Sequence, residues 1–262
     1  MGDAHMARRR VPAAPDPTAK AATSGRAAHM AKTAAPGHVV RLARAAAVVL
    51  ALLCALALAA LGGLAISGYV EARQAVAERP VEATLQTIEA SPSYVAFDEL
   101  PQTYVWAVVA TEDHRFFYHA GVDPIAIARA LAHDLRTRSF AQGGSTIPQQ
   151  LAKNLWFTQE KTLPRKAAEV WVAFDLERAR SKRDLLALYA STIYFGDGCY
   201  GLRDAARHYY GVEPRELTDE QCTMLAGLPN APSVLSADPA AAARRQAYVE
   251  ERMRLYGYGL AG

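Results

Sequence analysis

Hydrophobic and polar positions divide this chain into two unlike stretches. From Ala45 to Val70 there are 26 residues without a charge, centred on VVLALLCALALAALGGLAI. A helix rises about 1.5 Å per residue, so about 20 apolar residues cross a bilayer core. The segment is apolar on every face, which marks a membrane span rather than a buried globular helix. The competing reading is a cleavable signal peptide, with Gly62-Gly63-Leu64-Ala65 imitating a cleavage site. Signal-peptide apolar regions usually run only about 7–15 residues, so the span is the preferred reading.

Beyond the span the pattern turns amphipathic. Asp123-Pro124 supplies an N-cap and a first-turn proline, after which Ile125, Ala128, Leu131, Ala132 and Leu135 share one helical face. A second helix is predicted from Pro164 through KAAEVWVAFDLERAR, with Ala167, Val170, Trp171 and Phe174 inward. A third runs from Ser181 to about Tyr194, burying Leu185, Leu186, Tyr189 and Ile193. The fourth opens on the capping box Thr218-Asp219-Glu220-Gln221 and stops at Gly227, before Pro229 and Pro232. No stretch sustains period-two alternation with hairpin turns, so the predicted fold class is mainly α.

Composition narrows the function. At 262 residues and 51% hydrophobic, the chain is long and apolar enough for one folded domain plus an appendage, and three cysteines exclude a disulfide scaffold. The net charge of +3 is unevenly placed. Residues 1–44 hold Arg8, Arg9, Arg10, Lys20, Arg26, Lys32, Arg41 and Arg44 against Asp3 and Asp16, which leaves the remainder slightly acidic. The body is therefore no nucleic-acid surface, and the basic tail reads as a topology signal. By the positive-inside rule it stays in the cytoplasm and the body lies outside. The expected organisation is a disordered basic tail over 1–44, a transmembrane helix over 45–70, an extracytoplasmic linker over 71–94 and a folded domain over 95–262. Cys54 falls in the span; Cys199 and Cys222 are left as a pair or as two free thiols.

Chemistry concentrates in the folded domain. Glu112 and Asp113 stand beside Phe116, Phe117 and Tyr118, where apolar rings would disfavour a carboxylate's charged form and suit it to proton transfer. An ordinary surface Glu-Asp pair fits the same residues. His114 and His119 are five apart, which does not share a helical face, so a metal pair is disfavoured. Gln142-Gly143-Gly144-Ser145-Thr146 lacks the Gly-Lys-Ser/Thr ending of a nucleotide P-loop. Lys153, Lys161, Arg165 and Lys166 form a cation cluster followed by Glu169, and Arg165 with Glu169 has the i,i+4 spacing of a surface salt bridge.

In order along the chain stand EDHRFFYHAG, QGGSTIPQQLAKN, RKAAEVWVA, LYASTIYFG and LAGLPNAPS. These resemble the successive motifs of the family 51 peptidoglycan glycosyltransferases, over about residues 95–256. The resemblance implies a lysozyme-like glycosyltransferase domain behind one N-terminal transmembrane helix, in the bacterial plasma membrane. It implies an enzyme that polymerises lipid II into glycan strands by inverting glycosyl transfer, with the membrane, lipid II and the growing strand as partners, alongside other cell-wall synthesis proteins. No Ser-x-x-Lys transpeptidase motif is present, so the monofunctional form is expected. Residue by residue, Glu112 matches the general base and Glu169 the second essential carboxylate, the two catalytic candidates. Asp113, Ser145, Gln150, Lys153, Lys161 and Lys166 match substrate-binding positions, with the lysines meeting the diphosphate. No cofactor is required by the resemblance; a divalent metal, Mg or Mn, assisting at the diphosphate is a further expectation, with no metal ligands assigned.

Three positions depart from the pattern. Pro148 stands where the family usually has Thr, and Ala187 and Ser191 stand where the fourth motif usually has Glu and Asn. Two alternatives therefore accompany the polymerase: a non-catalytic membrane scaffold that binds lipid II or cell-wall proteins, and a lysozyme-like glycan-cleaving enzyme. The cation cluster opposes the second, because a sugar leaving group carries no diphosphate.

Overall fold

The computed structural model describes residues 36–137, 144–158, 160 and 162–259. Of the disordered tail expected over 1–44, residues 1–35 lie outside the described residues, as do Gln142, Gly143 and Lys161, while residues 36–44 are helical, because the apolar helix begins at Pro36. The chain divides into two units, 1–59 and 60–262. The described part of the first is the opening of helix α1 (Pro36–Glu78), whose large side chains are exposed, among them Leu50, Leu52, Leu56 and Leu58. Over Val39–Glu78 this helix is long and apolar enough to cross a membrane.

The second unit is mainly helical. After Pro80, α2 (Val81–Glu89) leads to α3 (Gln102–Glu112), α4 (Pro124–Thr137), α5 (Ile147–Trp156), α6 (Leu163–Ala179) and α7 (Lys182–Thr192). A short hairpin, β1 (Tyr194–Gly196) and β2 (Cys199–Tyr200), precedes α8 (Leu202–Tyr210), α9 (Asp219–Gly227), α10 (Pro232–Leu235) and α11 (Pro239–Leu255). Helix α3 is the centre: Tyr104, Val105 and Ala107 through Ala110 are buried, and α9 and α11 pack against it. Helix α5 packs on α6 and α7 beside it. A helix apolar all round belongs in such a position.

Residues 71–94 are not the linker expected. The helix runs on to Glu78, α2 follows, and Ala72 and Leu85 are fully buried in the core. The continuation of α1 is fastened to α6: Gly68 lies against Ala167, the Trp171 indole donates to the Ala65 carbonyl (3.1 Å), Tyr69 and Trp171 meet edge to face at 5.3 Å, and Arg73 pairs with Asp175. This corrects the inward face predicted for α6. Ala167, Val170, Trp171 and Phe174 are only half-buried, because Ala167 and Trp171 face α1; the core takes Ala168, Val172 and Leu176 instead.

Two further expectations change. In α4, Ile125, Ala128 and Ala132 of the predicted apolar face are exposed and Ala130 is buried, while the side chains of Leu131 and Leu135 lie outside those described. The hairpin escapes alternation because its strands are three and two residues long; its signal is Asp197-Gly198, both at positive φ (50° and 81°), as a type I′ turn requires. Helix α7 buries the residues predicted, and Thr218 with Gln221 closes the expected capping box on α9. Cys199 and Cys222 are separate buried thiols.

A Cβ at Gly68 would stand 2.4 Å from the Ala167 Cβ and under 3 Å from backbone atoms of Ala167 and Ala168. Gly68→Ala is therefore expected to lower stability by about 1–3 kcal/mol through overpacking. Thermal unfolding of the full chain in detergent measures this, and an unchanged midpoint would mean that α1 and α6 do not pack as described.

Candidate active site

A cleft of about 380 Å³ is lined by Glu112, Asp113, Ser145, Gln150 and Lys153 together with residues of α4 and α11. Glu112 is the last residue of α3, where unpaired carbonyls make a negative charge unfavourable. Two donors offset this. Gln150 Nε2 on α5 donates to Glu112 Oε2 at 2.8 Å, and Arg245 Nη2 on α11 reaches Oε1 at 3.5 Å. Gln150 is itself braced from α7, because the Tyr189 hydroxyl donates to its Oε1 at 3.4 Å. Burial pushes the Tyr189 hydroxyl well above its ordinary range, so it stays a donor.

Asp113 has a different fate from its neighbour. Its carboxylate accepts from His119 Nε2 at 3.0 Å and from the Ile147 amide at 3.1 Å. It thereby ties the end of α3 to the start of α5, at a helix N-terminus that favours an anion. Asp113 lines the cleft and also braces it. Thr146 caps α5, with Gln149 completing the box, and Pro148 occupies the first turn, where its missing N–H costs nothing. That start orients Gln150 and Lys153, three apart on one face, towards the cleft.

The cations gather round Glu169. Lys166 Nζ lies 2.6 Å from Glu169 Oε2 and donates to Ser145 Oγ at 2.6 Å. Arg165 Nη1 is 3.5 Å from Glu169 Oε1 and donates to the Thr158 carbonyl at 2.8 Å. Glu169 is 0% exposed and does not line the cleft; it positions cations rather than meeting substrate. Arg165 is buried too, so the surface salt bridge read from its spacing is an interior one. Lys153 is half-buried, and burial holds its ammonium below the usual lysine range; Glu169 and Glu112 oppose that shift, while Lys166 and Arg165 reinforce it.

The rings of the first motif are not the environment of Glu112. Phe116 is fully buried under Lys182, Tyr118 is 80% exposed, and neither lines the cleft. The aromatic lining is Tyr248 and Tyr256, accompanied by Arg129, Arg245, Arg252, His114 and Asn230, none of which the sequence reading placed in a binding role. Arg245, Tyr248 and Arg252 fall at i, i+3 and i+7, a helical face legible in RRQAYVEERM. His114 stacks on Tyr256 (ring centroids 4.2 Å apart) and its Nε2 accepts from Arg129 Nη1 at 3.3 Å. The two departures of the fourth motif lie elsewhere: Ala187 is fully buried, and Ser191 Oγ accepts from the Val95 amide at 3.0 Å.

Both Glu169 oxygens face cations, Asp113 is engaged by donors, and among the described residues no group of three His, Cys, Asp or Glu could hold a metal ion.

The family model described as Transglycosylase matches residues 80–254. A provisionally named transglycosylase of Cupriavidus necator is 40% identical over 200 residues, which are 76% of this chain and 86% of the relative. Penicillin-binding protein 1A of Aquifex aeolicus is 43% identical over 63% of this chain but only 23% of its own length. Penicillin-binding protein 1A/1B of Bacillus subtilis is 40% identical over 63% of this chain and 18% of its own. The chain thus spans about a fifth of the length of those two relatives.

Burial, then Arg129 and Arg252, hold the His114 imidazole below its usual 6.5, with Asp113 and Asp123 opposing. The unfolded chain therefore takes up this proton first, and the neutral ring's fit is lost as pH falls below 6.5. NMR titration is expected to place His114 below that value, and Arg129→Gln to move it up. Titration at or above 6.5 in the unmodified chain would contradict the arrangement.

Proposed function

Since the chain belongs to the transglycosylase family, we propose that it polymerises lipid II into peptidoglycan glycan strands, releasing the lipid diphosphate. The observation that carries this reading is the pairing, within one cleft, of a reachable carboxylate (Glu112, 15% exposed) with Lys153 and the Lys166-bound Ser145. Glu112 takes the proton from the acceptor sugar's 4-hydroxyl as that oxygen attacks the donor's anomeric carbon with inversion. Negative charge then grows on the departing diphosphate. Lys153, and Lys166 with Ser145, supply donors where it develops, which is worth more in a partly desolvated cleft than in water. Glu169 keeps Lys166 in place, and by resemblance Lys161 pairs with the diphosphate. No step needs a metal ion.

The catalytic reading is preferred to a scaffold because the departures are absorbed by the fold. Ala187 packs in the core, Ser191 holds a backbone amide, and neither lines the cleft. The uncharged span and the basic residues before it support an anchor in the bacterial plasma membrane, with residues 1–44 in the cytoplasm and the catalytic domain outside. A reporter active only outside the cytoplasm, fused after Gly262, is expected to be active; recovery of a soluble body cut near Ala65 would replace the anchor with a signal peptide.

Product analysis with purified protein and lipid II distinguishes polymer, shortened glycan and no reaction. Glu112→Gln keeps the shape and the Gln150 contact region but accepts no proton, so polymerisation is expected to fall about 10²–10⁴-fold with thermal stability near that of the parent. Lys153→Ala is expected to weaken diphosphate binding by about tenfold or more. Arg165→Ala leaves Glu169 short of a partner and is expected to lower stability, by about 3 kcal/mol on the scale of broken buried pairs. A Gln variant that still makes polymer at near the parent rate would remove Glu112 from the role of base.

A further inference from the structure

Gln150 stands between Glu112 and Tyr189, and the two ends of its amide are alike in size but opposite in hydrogen-bonding sense. With Nε2 towards Glu112, the amide donates to a carboxylate. With Oε1 there, two acceptors would face each other, and only a protonated carboxyl, which is no base, could bridge them. We infer that Tyr189 is a positioning residue for the reaction, its hydroxyl fixing which end of the Gln150 amide meets Glu112. The inference rests on the polymerising reading, in which Glu112 accepts a proton, and adds to it a residue that does not line the cleft.

The donors run one way along this row. The Tyr189 hydroxyl donates to Gln150 Oε1 at 3.4 Å, and Gln150 Nε2 donates to Glu112 Oε2 at 2.8 Å. A hydroxyl can also accept, but the turned amide would then leave the Tyr189 proton in need of another acceptor. Tyr189 is 1% exposed, so water does not supply one, and among the described residues its hydroxyl has no partner besides Gln150. A buried donor left unmatched is costly, and that cost holds the amide in the sense Glu112 needs. Burial, reinforced by Glu112 and Tyr104 and opposed by Arg245, keeps the hydroxyl protonated well beyond its ordinary range. The packing of α5 on α7 brings Gln150 and Tyr189 together. Arg245 acts on the other carboxylate oxygen, Oε1, at 3.5 Å, which leaves the sense of the contact at Oε2 to the amide.

The test is lipid II polymerisation by the full chain in detergent, with kcat and KM measured separately. Tyr189→Phe keeps the ring and removes only the hydroxyl. Its kcat is expected to fall about tenfold with KM near that of the parent, because Tyr189 acts on the base and not on the substrate. Gln150→Leu removes the amide altogether and is expected to lower kcat at least as far. The double variant separates positioning from packing. With no amide left to orient, adding Tyr189→Phe to Gln150→Leu is expected to cost no further kcat, whereas a merely structural tyrosine would exact the same loss in both backgrounds. Thermal unfolding shows that each variant is folded. An unchanged kcat in Tyr189→Phe, a loss confined to KM, or additive losses in the double variant would overturn the inference. So would an unchanged kcat in Gln150→Leu, which serves as the test if Tyr189→Phe fails to fold. Polymer from the parent with any of these results sinks the role of Tyr189 alone; no polymer from the parent sinks the polymerising reading and this role with it.

Discussion

A carboxylate placed at the C-terminal end of a buried helix meets the carbonyls of the last turn, and that end of a helix favours cations. Glu112 stands there, at the end of a helix that is buried over most of its length. Holding its charge in that position requires donors from elsewhere, and three elements supply or support them: α5 through Gln150, α7 through Tyr189 behind it, and α11 through Arg245. Helices far apart in sequence therefore converge on one side chain. The donors meet the carboxylate without covering it, and Glu112 stays 15% exposed on the cleft.

The three acidic residues of the site show how environment assigns role. Asp113 is turned into the domain, where His119 and the first amide of α5 occupy its oxygens; it fixes the distance between α3 and α5. Glu169 is enclosed by Lys166 and Arg165. Buried ion pairs repay their desolvation poorly, so such a cluster is weak evidence of stability and better evidence of placement. Its product is the position of Lys166, which reaches Ser145 in the cleft wall. Glu112 and Asp113 both line the cleft, but the Asp113 oxygens are taken by His119 and the Ile147 amide, so Glu112 is the one suited to exchange a proton with a substrate.

Much of this was legible in the residues. The uncharged span, the helix caps at Ser181 and Thr218, and the inward face of α7 are local signals, and each appears in the fold as read. What failed was non-local. The face of α6 was misjudged because the helix is contacted by α1 as well as by the core, and periodicity marks apolar positions without saying which neighbour takes them. The linker was misjudged because loss of extreme hydropathy after Val70 was taken as the end of structure, whereas α1 continues and buries Ala72. The rings beside Glu112 in sequence misled because the chain turns after Asp113, carrying Phe116 into the core and leaving Glu112 to face Gln150 and Arg245. The tyrosines and arginines of α11 were visible as a helical face, but only proximity to Glu112 gives that face a meaning.

The departures from the family pattern bear on how such a site tolerates change. Pro148 enters at the one turn of a helix whose amides have no intrahelical partner, so the substitution leaves the aim of Gln150 and Lys153 intact. Ala187 removes a charge from a position that is fully buried, where an unpaired carboxylate would be costly. Ser191 is short, yet its hydroxyl still satisfies the Val95 amide, a donor that would otherwise be buried without a partner. All three lie behind the residues that face the cleft. The constraint on the chain is therefore the set of donors round Glu112 and the cations round Glu169; residues one layer further out are free to vary so long as they leave no buried charge or amide unmatched.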